Sequence, residues 1–141
     1  MSLIRAQRIK MAFDWMMDHF GKLDGGEFLR MPPEEAYTKL QSIKGIGSKT
    51  AAVFLVFNRS DFKPIYFPVD THIHRIVNRL GILDRKYPPA IIQKKISEVV
   101  SPDIILSLHM NIIYLGREIC KAQKPDCEIC PLNNECKKLI K

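Results

Sequence analysis

Apolar side chains recur at intervals of three and four residues along most of the chain, which is the spacing that places them on one face of an α-helix. The first such segment covers residues 3–19 and includes Ile4, Met11 and Trp15. Because the same pattern recurs downstream, the chain is predicted to be all-α. The further helices are expected at residues 33–43, 48–58, 70–80, 88–100 and 102–118.

Capping residues mark where several of these helices begin and end. Pro33 precedes two glutamates, and both residue types favour the first turn of a helix. Asp70 is expected to cap the helix that ends at Gly81. Ser101 is expected to cap the last helix, with Pro102 in its first position. The remaining segments are predicted to be irregular: residues 21–33, residues 59–68 and the tail that begins at Cys120.

The length and charge of the chain limit the classes of protein to which it can belong. Its 141 residues suit one domain, or one domain with a small appendage. The net charge of +7 favours a polyanionic partner, either nucleic acid or an anionic membrane surface. No apolar run reaches the roughly 18 residues of a membrane span, and the start of the chain does not resemble a secretory signal. We therefore expect an intracellular, cytoplasmic protein.

The stretch IKGIGSKTA, residues 43–51, places two glycines between two predicted helices. It is not a nucleotide-binding P-loop, because Ser48 separates Gly47 from Lys49 and a helix rather than a strand precedes it. Such a turn exposes backbone N–H groups that suit a phosphate oxygen, without reading the base sequence. The pattern resembles the helix-hairpin-helix of DNA-binding proteins, although a plain connector between packed helices has the same sequence. The predicted DNA-binding residues of the hairpin are Lys44, Gly45, Ile46, Gly47 and Ser48.

Lys49 and Asp70 are the candidate catalytic residues. Lys49 lies in the first turn of a predicted helix, where the helix dipole disfavours a charged amine, and a neutral amine is a nucleophile. The start of the next long helix keeps the Asp70 carboxylate ionised. Together they could attack a sugar carbon, with the carboxylate stabilising the developing positive charge. The alternatives are that Lys49 only contacts phosphate and that Asp70 is only a helix cap.

The histidines are predicted to be structural. His72 and His74 are two residues apart, so on a helix they point to different sides, unlike paired metal ligands. We interpret them as surface or packing residues. His109 lies in an apolar helix and is interpreted as a core residue.

Four cysteines lie close together at the end of the chain, with the spacing C-x6-C-x2-C-x5-C. In a reducing compartment such a set favours a metal site over disulfides. Zinc ribbons usually pair two short C-x2-C motifs, and only one is present here, so a compact iron–sulfur cluster fits better than zinc. Lys121 and Lys124 lie inside the first loop and are predicted to contact phosphate, or else to form part of a solvated tail. The predicted ligands are Cys120, Cys127, Cys130 and Cys136.

Three segments, LQSIKGIGSKTAAVFL, FPVDTHIHRIVNRLG and LGREICKAQKPDCEICPLNNEC, resemble the endonuclease III-type DNA glycosylases of the helix-hairpin-helix superfamily. The similarity runs from about residue 4 to the end. It implies a partial helical barrel over residues 1–116, with the helix-hairpin-helix at about residues 34–57. It also implies that residues 117–141 form a small [4Fe–4S] segment with a structural role.

The resemblance further implies a bifunctional enzyme of base-excision repair. Lys49 would attack C1′ of a damaged nucleoside to form a Schiff base, assisted by Asp70, and the strand would then break by β-elimination. Oxidised pyrimidines and abasic sites in double-stranded DNA would be the substrates. The open alternatives are a non-catalytic DNA-binding module, a monofunctional glycosylase for uracil or thymine mispairs, and a zinc-binding interaction protein.

The chain departs from the family at two points. Lys44 replaces the commoner proline before the first glycine of the hairpin. The resemblance also implies that the chain starts partway through the family fold, without the helices that complete the barrel and the base pocket. We therefore expect part of the apolar face of residues 51–57 and of the 102–118 helix to be exposed, activity to be impaired, and the chain to self-associate.

Overall fold

The computed structural model describes residues 3–59, 66–83 and 87–139. The described residues form helices and irregular segments, without a β-strand, which confirms the all-α prediction. The chain divides into two compact units, Met1–Pro64 and Ile65–Lys141. The α-helices are α1 Leu3–Phe20, α2 Gly26–Arg30, α3 Pro33–Ser42, α4 Ser48–Asn58, α5 Thr71–Leu80, α6 Pro89–Ser97 and α7 Ile105–Glu118.

The predicted helix starts at Pro33 and Asp70 are confirmed. Pro33 is the first residue of α3, followed by two glutamates in the first turn. The Asp70 carboxylate accepts a hydrogen bond from the Ile73 backbone N–H at 2.8 Å, so it caps α5 as expected. Gly81 ends α5 in the left-handed conformation. The segment 59–68 was predicted to be irregular. Its described residues, 59 and 66–68, are irregular, and residues 60–65 lie outside the described residues.

The prediction that residues 21–33 are all irregular is wrong, because this segment contains the short helix α2. The Asp24 carboxylate accepts the Gly26 N–H at 2.8 Å and thereby satisfies an amide at the start of α2. Glu27 pairs with Lys22 at 2.6 Å and with Arg30 at 2.7 Å. These local bonds outweigh the three glycines and two prolines of the segment, which are typical of loops.

The predicted start of the last helix is also corrected. Residues Pro102–Ile104 form a short 3₁₀ turn, and α7 begins only at Ile105. The Ser101 hydroxyl bonds to the Asp103 carboxylate instead of capping a backbone amide. The competing side-chain bond explains why a serine–proline start did not lead directly into an α-helix.

An aromatic cluster forms the centre of the first unit. Phe28 of α2 is buried, and its ring centroid lies 5.8 Å from that of Trp15, 5.1 Å from that of Phe20 and 6.0 Å from that of Phe54. These contacts hold α1 and α4 to the short helix α2. The packed pair α3 and α4 buries Leu40 and a further apolar set, Ala36, Ile43, Ala51, Ala52, Leu55 and Val56. The first unit therefore presents α3, the intervening turn and α4 as one packed hairpin.

The second unit is built on α5 packed against α7. Gly116 of α7 lies so close to α5 that an added Cβ would come within 2.9 Å of the His72 side chain and 3.1 Å of Ile76. The absence of a side chain at residue 116 therefore allows the two helices to approach closely. Ile73, Ile76 and Phe67 are fully buried in this core.

The division between the two units falls at residue 64, whereas the sequence analysis placed a domain boundary at residue 116. Residues 117–139 belong to the same compact unit as α5 and α7. It therefore stays a prediction that the cysteine segment, residues 117–141, begins at residue 117. None of the described helices has the length and hydropathy that crossing a membrane requires.

The turn between α3 and α4 depends on one left-handed residue. The Ile46 N–H donates to the Ile43 carbonyl at 3.0 Å, and Gly45 inside this turn has φ +99°. Gly47 is different, because its φ of −97° is open to any residue and a Cβ there would meet no atom within 4 Å.

We predict that Gly45→Ala destabilises the protein by roughly 1–2 kcal/mol, because an L-residue is strained in the left-handed region. Gly47→Ala is the matched control and should be neutral or slightly stabilising, since it only restricts the unfolded chain. Thermal unfolding followed by circular dichroism measures both. Equal melting temperatures for the two variants would contradict this assignment of the turn.

Candidate functional site

The hairpin residues 44–48 lie at the surface of the first unit. Lys44, Gly45 and Gly47 are exposed, and Ile46 and Ser48 are half-buried. The first intrahelical bond of α4 runs from the Ala51 N–H to the Gly47 carbonyl at 3.0 Å. The amides of residues 48–50 precede it, so they have no acceptor within the helix. No side chain caps this end of α4.

Lys49 is the second residue of α4 and is exposed. It therefore lies at the positive end of the helix dipole, as the sequence predicted. The side chain is presented to solvent beside the uncapped amides of the hairpin.

Asp70 lies at the start of α5 in the second unit and is half-buried. One carboxylate oxygen accepts the Ile73 N–H, and the Asp70 carbonyl accepts the His74 N–H at 2.9 Å. The backbone therefore fixes the orientation of this side chain. Lys49 and Asp70 belong to different compact units, so their convergence on one sugar stays a prediction.

All four cysteines have free thiols, which excludes disulfides among them, and they line one pocket beside the end of α5. The pocket measures about 320 Å³, counting the part open to solvent. Among the described residues, no three His, Cys, Asp or Glu side chains converge closely enough to hold a single metal ion. Four thiols around a shared pocket form a donor set that fits an iron–sulfur cluster.

Two arginines of α5 hold the cysteine segment, and the sequence analysis missed both. Arg79 is buried and donates to the Lys121 and Ala122 carbonyls at 2.6 and 2.8 Å. It also lies 3.3 Å from the Cys120 sulfur. Arg75 donates to the Gly116 and Cys120 carbonyls at 2.7 and 2.9 Å. Their spacing of four residues on one helix face was the available signal.

Backbone carbonyls at the C-terminal end of α5 bind the residues around and after Cys136, the last cysteine. The Arg79 carbonyl accepts the Leu139 N–H at 3.1 Å and lies 3.4 Å from the Cys136 sulfur. The Leu80 carbonyl accepts the Lys137 N–H at 3.3 Å. One turn of α5 therefore fixes both the first and the last cysteine of the segment.

The basic residues of the cysteine segment are exposed. Lys121 and Lys124 lie in the loop between the first two cysteines, and Lys124 has a positive φ of 47°. Lys137 and Lys138 follow the last cysteine and are also exposed, whereas Lys141 lies outside the described residues. The predicted contacts of Lys121 and Lys124 with phosphate stay predictions.

The histidines take the places expected of structural residues. His109 is buried, and its ring meets Phe67 edge-on at 5.9 Å. His72 and His74 are half-buried on α5, and the His72 ring lies 3.1 Å from the Arg75 guanidinium. His72 therefore contacts the arginine that holds the first cysteine.

Comparison with known proteins identifies the cysteine segment. The family model described as the iron–sulfur binding domain of endonuclease III matches residues 120–136. This match covers all four cysteines and confirms the predicted iron–sulfur cofactor.

Curated relatives cover most of this chain. Endonuclease III of Rickettsia felis is 37% identical over 100 residues, which are 71% of this chain and 45% of that protein. Endonuclease III of Sulfolobus acidocaldarius is 39% identical over 98 residues, or 70% of this chain and 43% of that protein. The chain therefore spans less than half the length of these two relatives. The DNA glycosylase/AP lyase ROS1 of Arabidopsis thaliana is 28% identical over 94% of this chain and 10% of that protein.

Two solved structures share the fold. One is a non-covalent endonuclease III–DNA complex, with a TM-score of 0.71 and 26% identity, covering 90% of this chain and 54% of that chain. The other is a trapped covalent endonuclease III–DNA intermediate, with a TM-score of 0.75 and 27% identity, covering 94% of this chain and 57% of that chain. In its sequence, its helical fold and its iron–sulfur segment, this chain is therefore endonuclease III-like.

Proposed function

We propose that this protein acts in base-excision DNA repair as a bifunctional DNA glycosylase with AP lyase activity. The observation that carries the proposal is the exposed amine of Lys49, which directly follows the glycine hairpin at the uncapped start of α4. The covalent DNA intermediate trapped with endonuclease III, a protein of the same fold, supports a nucleophilic role for such a residue. The substrates proposed are oxidised pyrimidines and abasic sites in double-stranded DNA, which would place the protein with DNA inside the cell.

The hairpin would bind the DNA backbone. The amides of residues 48–50 point out of the helix start and can donate to a phosphate oxygen. Lys44 adds a positive charge beside these amides. On the second unit, Lys121 and Lys124 are proposed to bind phosphate. These contacts fix the position of the duplex but carry no sequence information. A damaged nucleotide would then leave the stack, because a damaged pair costs less to open.

The chemistry would begin with Lys49 in its uncharged form. Its Nζ attacks C1′, the bond from C1′ to the base breaks, and the base leaves with the bonding electrons and gains a proton. The Asp70 carboxylate, oriented by its bond from the Ile73 N–H, stabilises the positive charge that develops on the sugar. Loss of a proton from the amine and opening of the sugar ring then give a Schiff base between Lys49 and C1′.

The Schiff base also accounts for strand cleavage. Its positive nitrogen withdraws electrons and makes the C2′ proton acidic. Removal of that proton lets the C3′–oxygen bond break, with the phosphate as leaving group, and water later releases the sugar fragment from Lys49. A glycosylase without a nucleophilic lysine would stop after base removal.

We propose that Cys120, Cys127, Cys130 and Cys136 hold a [4Fe–4S] cluster as thiolates. When bound, the cluster cross-links the cysteine segment and stiffens it, so its role is structural. Arg79 and Arg75 bind carbonyl groups of this segment, and the Arg79 guanidinium can donate to the Cys120 thiolate. This arrangement positions the exposed lysines of the loop for phosphate contact.

We also propose that the chain self-associates through apolar side chains that its own fold leaves exposed. Helix α1 has no buried residue. Phe57 of α4 is about half exposed, and α7 leaves an apolar stripe exposed along one side. The stripe comprises Leu106, Met110 and Tyr114, and the exposed apolar residues of α1 are Leu3, Ile4, Ile9, Met11, Phe13 and Met17.

We predict that Lys49→Ala abolishes nicking of duplex DNA that carries an abasic site, because the variant lacks the nucleophile. Binding of the same duplex should weaken only a few-fold. Lys44→Ala is the matched control, since it removes a neighbouring exposed lysine from the same hairpin. It should weaken binding but retain nicking at saturating protein.

The outcomes separate the alternatives. Nicking by Lys49→Ala at the wild-type rate would contradict the assignment of the nucleophile. Base removal by wild type that yields breaks only after alkali treatment would indicate a monofunctional glycosylase. DNA binding by the wild type, without base removal or nicking on any lesion tested, would indicate a DNA-binding module.

We predict that Arg79→Gln lowers the cluster content of the purified protein severalfold, because it removes the charged donor to the Lys121 and Ala122 carbonyls at a cost on the order of 2 kcal/mol. Arg117→Gln, an exposed arginine of α7, is the control and should keep its cluster. Iron analysis and visible absorbance measure the content. A fully loaded Arg79→Gln protein would refute the role given to Arg79, and zinc in place of iron in the wild type would refute the cofactor.

Sedimentation velocity over a micromolar concentration series tests self-association. We predict that the sedimentation coefficient rises with concentration, and that Leu106→Lys with Met110→Lys, which charges the exposed stripe of α7, shifts the rise to higher concentration. A wild-type protein that sediments as a monomer throughout the series would contradict the proposal.

A further inference from the structure

Arg8 of α1 lies directly against the hairpin of the first unit. A Cβ added to Gly45 would come within 2.8 Å of the Arg8 Cγ and 3.0 Å of its Cδ. The methylene stem of the arginine therefore occupies the space that a side chain at residue 45 would need. Gly45 is thus required both by its left-handed backbone and by this packed stem.

The helical period places Arg8 on the face of α1 that turns towards the rest of the unit. Ala12 and Trp15, four and seven residues later on this face, are half-buried. Lys10 lies on the other side of α1 and pairs with Asp14 at 2.7 Å. A charged residue is not expected on the face of a helix that packs against other helices. The methylene stem of an arginine can nevertheless cover apolar surface while its guanidinium stays in water.

The charge of Arg8 is not neutralised within the described part of the chain. Arg8, Lys44 and Lys49 are all exposed. None of them forms an ion pair with a described carboxylate, whereas other basic residues of the first unit do, including Lys10, Lys22, Arg30 and Lys39. Two separate segments of the chain therefore bring uncompensated positive charge to one hairpin.

We propose that Arg8 is a further DNA-binding residue, whose guanidinium grips a backbone phosphate of the duplex beside the hairpin. A guanidinium suits this position because its planar fork can donate two hydrogen bonds to one phosphate. The stem seated on Gly45 restricts the side chain before DNA binds, so less conformational freedom is lost on binding. The inference rests on the proposed binding of DNA by the hairpin, and it adds α1 to that surface.

The test is the salt dependence of affinity for a short synthetic duplex, measured by fluorescence anisotropy with wild type, Arg8→Gln, Arg8→Lys and Lys10→Gln. Loss of one phosphate contact should make the slope of log affinity against log salt shallower by about 0.9. We expect this change, with a loss of affinity of a few-fold at moderate salt, for Arg8→Gln alone. Arg8→Lys should keep most of the slope. The change should be equal for intact and abasic duplexes, because a phosphate contact does not recognise the lesion.

Lys10→Gln removes the same charge from the opposite side of α1, so it controls for net charge. Slopes for Arg8→Gln that match those of Lys10→Gln or of wild type would overturn the proposal while leaving hairpin binding intact. Absence of salt-dependent DNA binding in the wild type would instead refute the proposed function itself. Circular dichroism melting confirms that each variant is folded. If Arg8→Gln does not fold, Arg8→Met, which keeps an apolar stem against Gly45 but lacks the charge, replaces it: a slope shallower by about 0.9 supports the contact, and a slope equal to that of wild type overturns it.

Discussion

The first N–H groups of an α-helix have no acceptor within the helix, and the way in which this chain satisfies them differs between its two central helices. At α5 the Asp70 carboxylate supplies the acceptor, so the helix start fixes an anionic side chain in place. At α4 no side chain caps the helix, and the glycine hairpin leaves the amides at the surface. One helix start thus holds a carboxylate, and the other is suited to an anion from outside.

The proposed chemistry divides between these two helix starts. A phosphate that binds at the start of α4 would bring the sugar of a displaced nucleotide near Lys49, because Lys49 lies in the same helix turn as the amides that would bind the phosphate. Asp70 would stabilise the cation that the attack creates. The account therefore requires the two compact units to act on one nucleotide, and it assigns each unit a distinct part of the reaction.

Hydrogen bonds hold the cysteine segment to α5. Arg79 contacts the carbonyls that follow Cys120 with its side chain, and its own carbonyl accepts the Leu139 N–H beyond Cys136. The helix that Asp70 caps at one end thus organises the cluster segment at the other. A disturbance of this segment would change the surface that carries Lys121 and Lys124 without removing a reacting group.

Much of the fold could be predicted because local signals and tertiary packing agree in it. Pro33, Asp70 and Gly81 mark helix ends in the sequence and do so in the structure. The short helix α2 was missed because its stability comes from ion pairs of Glu27 and from burial of Phe28, which outweigh its glycines. Ser101 failed as a cap because its hydroxyl bonds to Asp103 instead.

The candidate site was only partly predictable for a related reason. The hairpin, Lys49, Asp70 and the cysteines carry recognisable spacing, so the sequence points to them directly. Arg8 and Arg79 act through contacts with residues about 35 to 45 positions away, at Gly45 and at residues 120–122. Such contacts depend on how the helices pack, and the only local signal for them is the four-residue spacing of Arg75 and Arg79.

The central claim is that the Lys49 amine forms the covalent bond to DNA, and peptide mapping tests it most directly. The protein is incubated with abasic duplex DNA under borohydride, the adduct is digested with protease and nuclease, and the modified residue is located by mass spectrometry. The account predicts a reduced sugar remnant on the peptide that contains Lys49. A remnant on a different lysine, or strand cleavage without any covalent remnant, would contradict it.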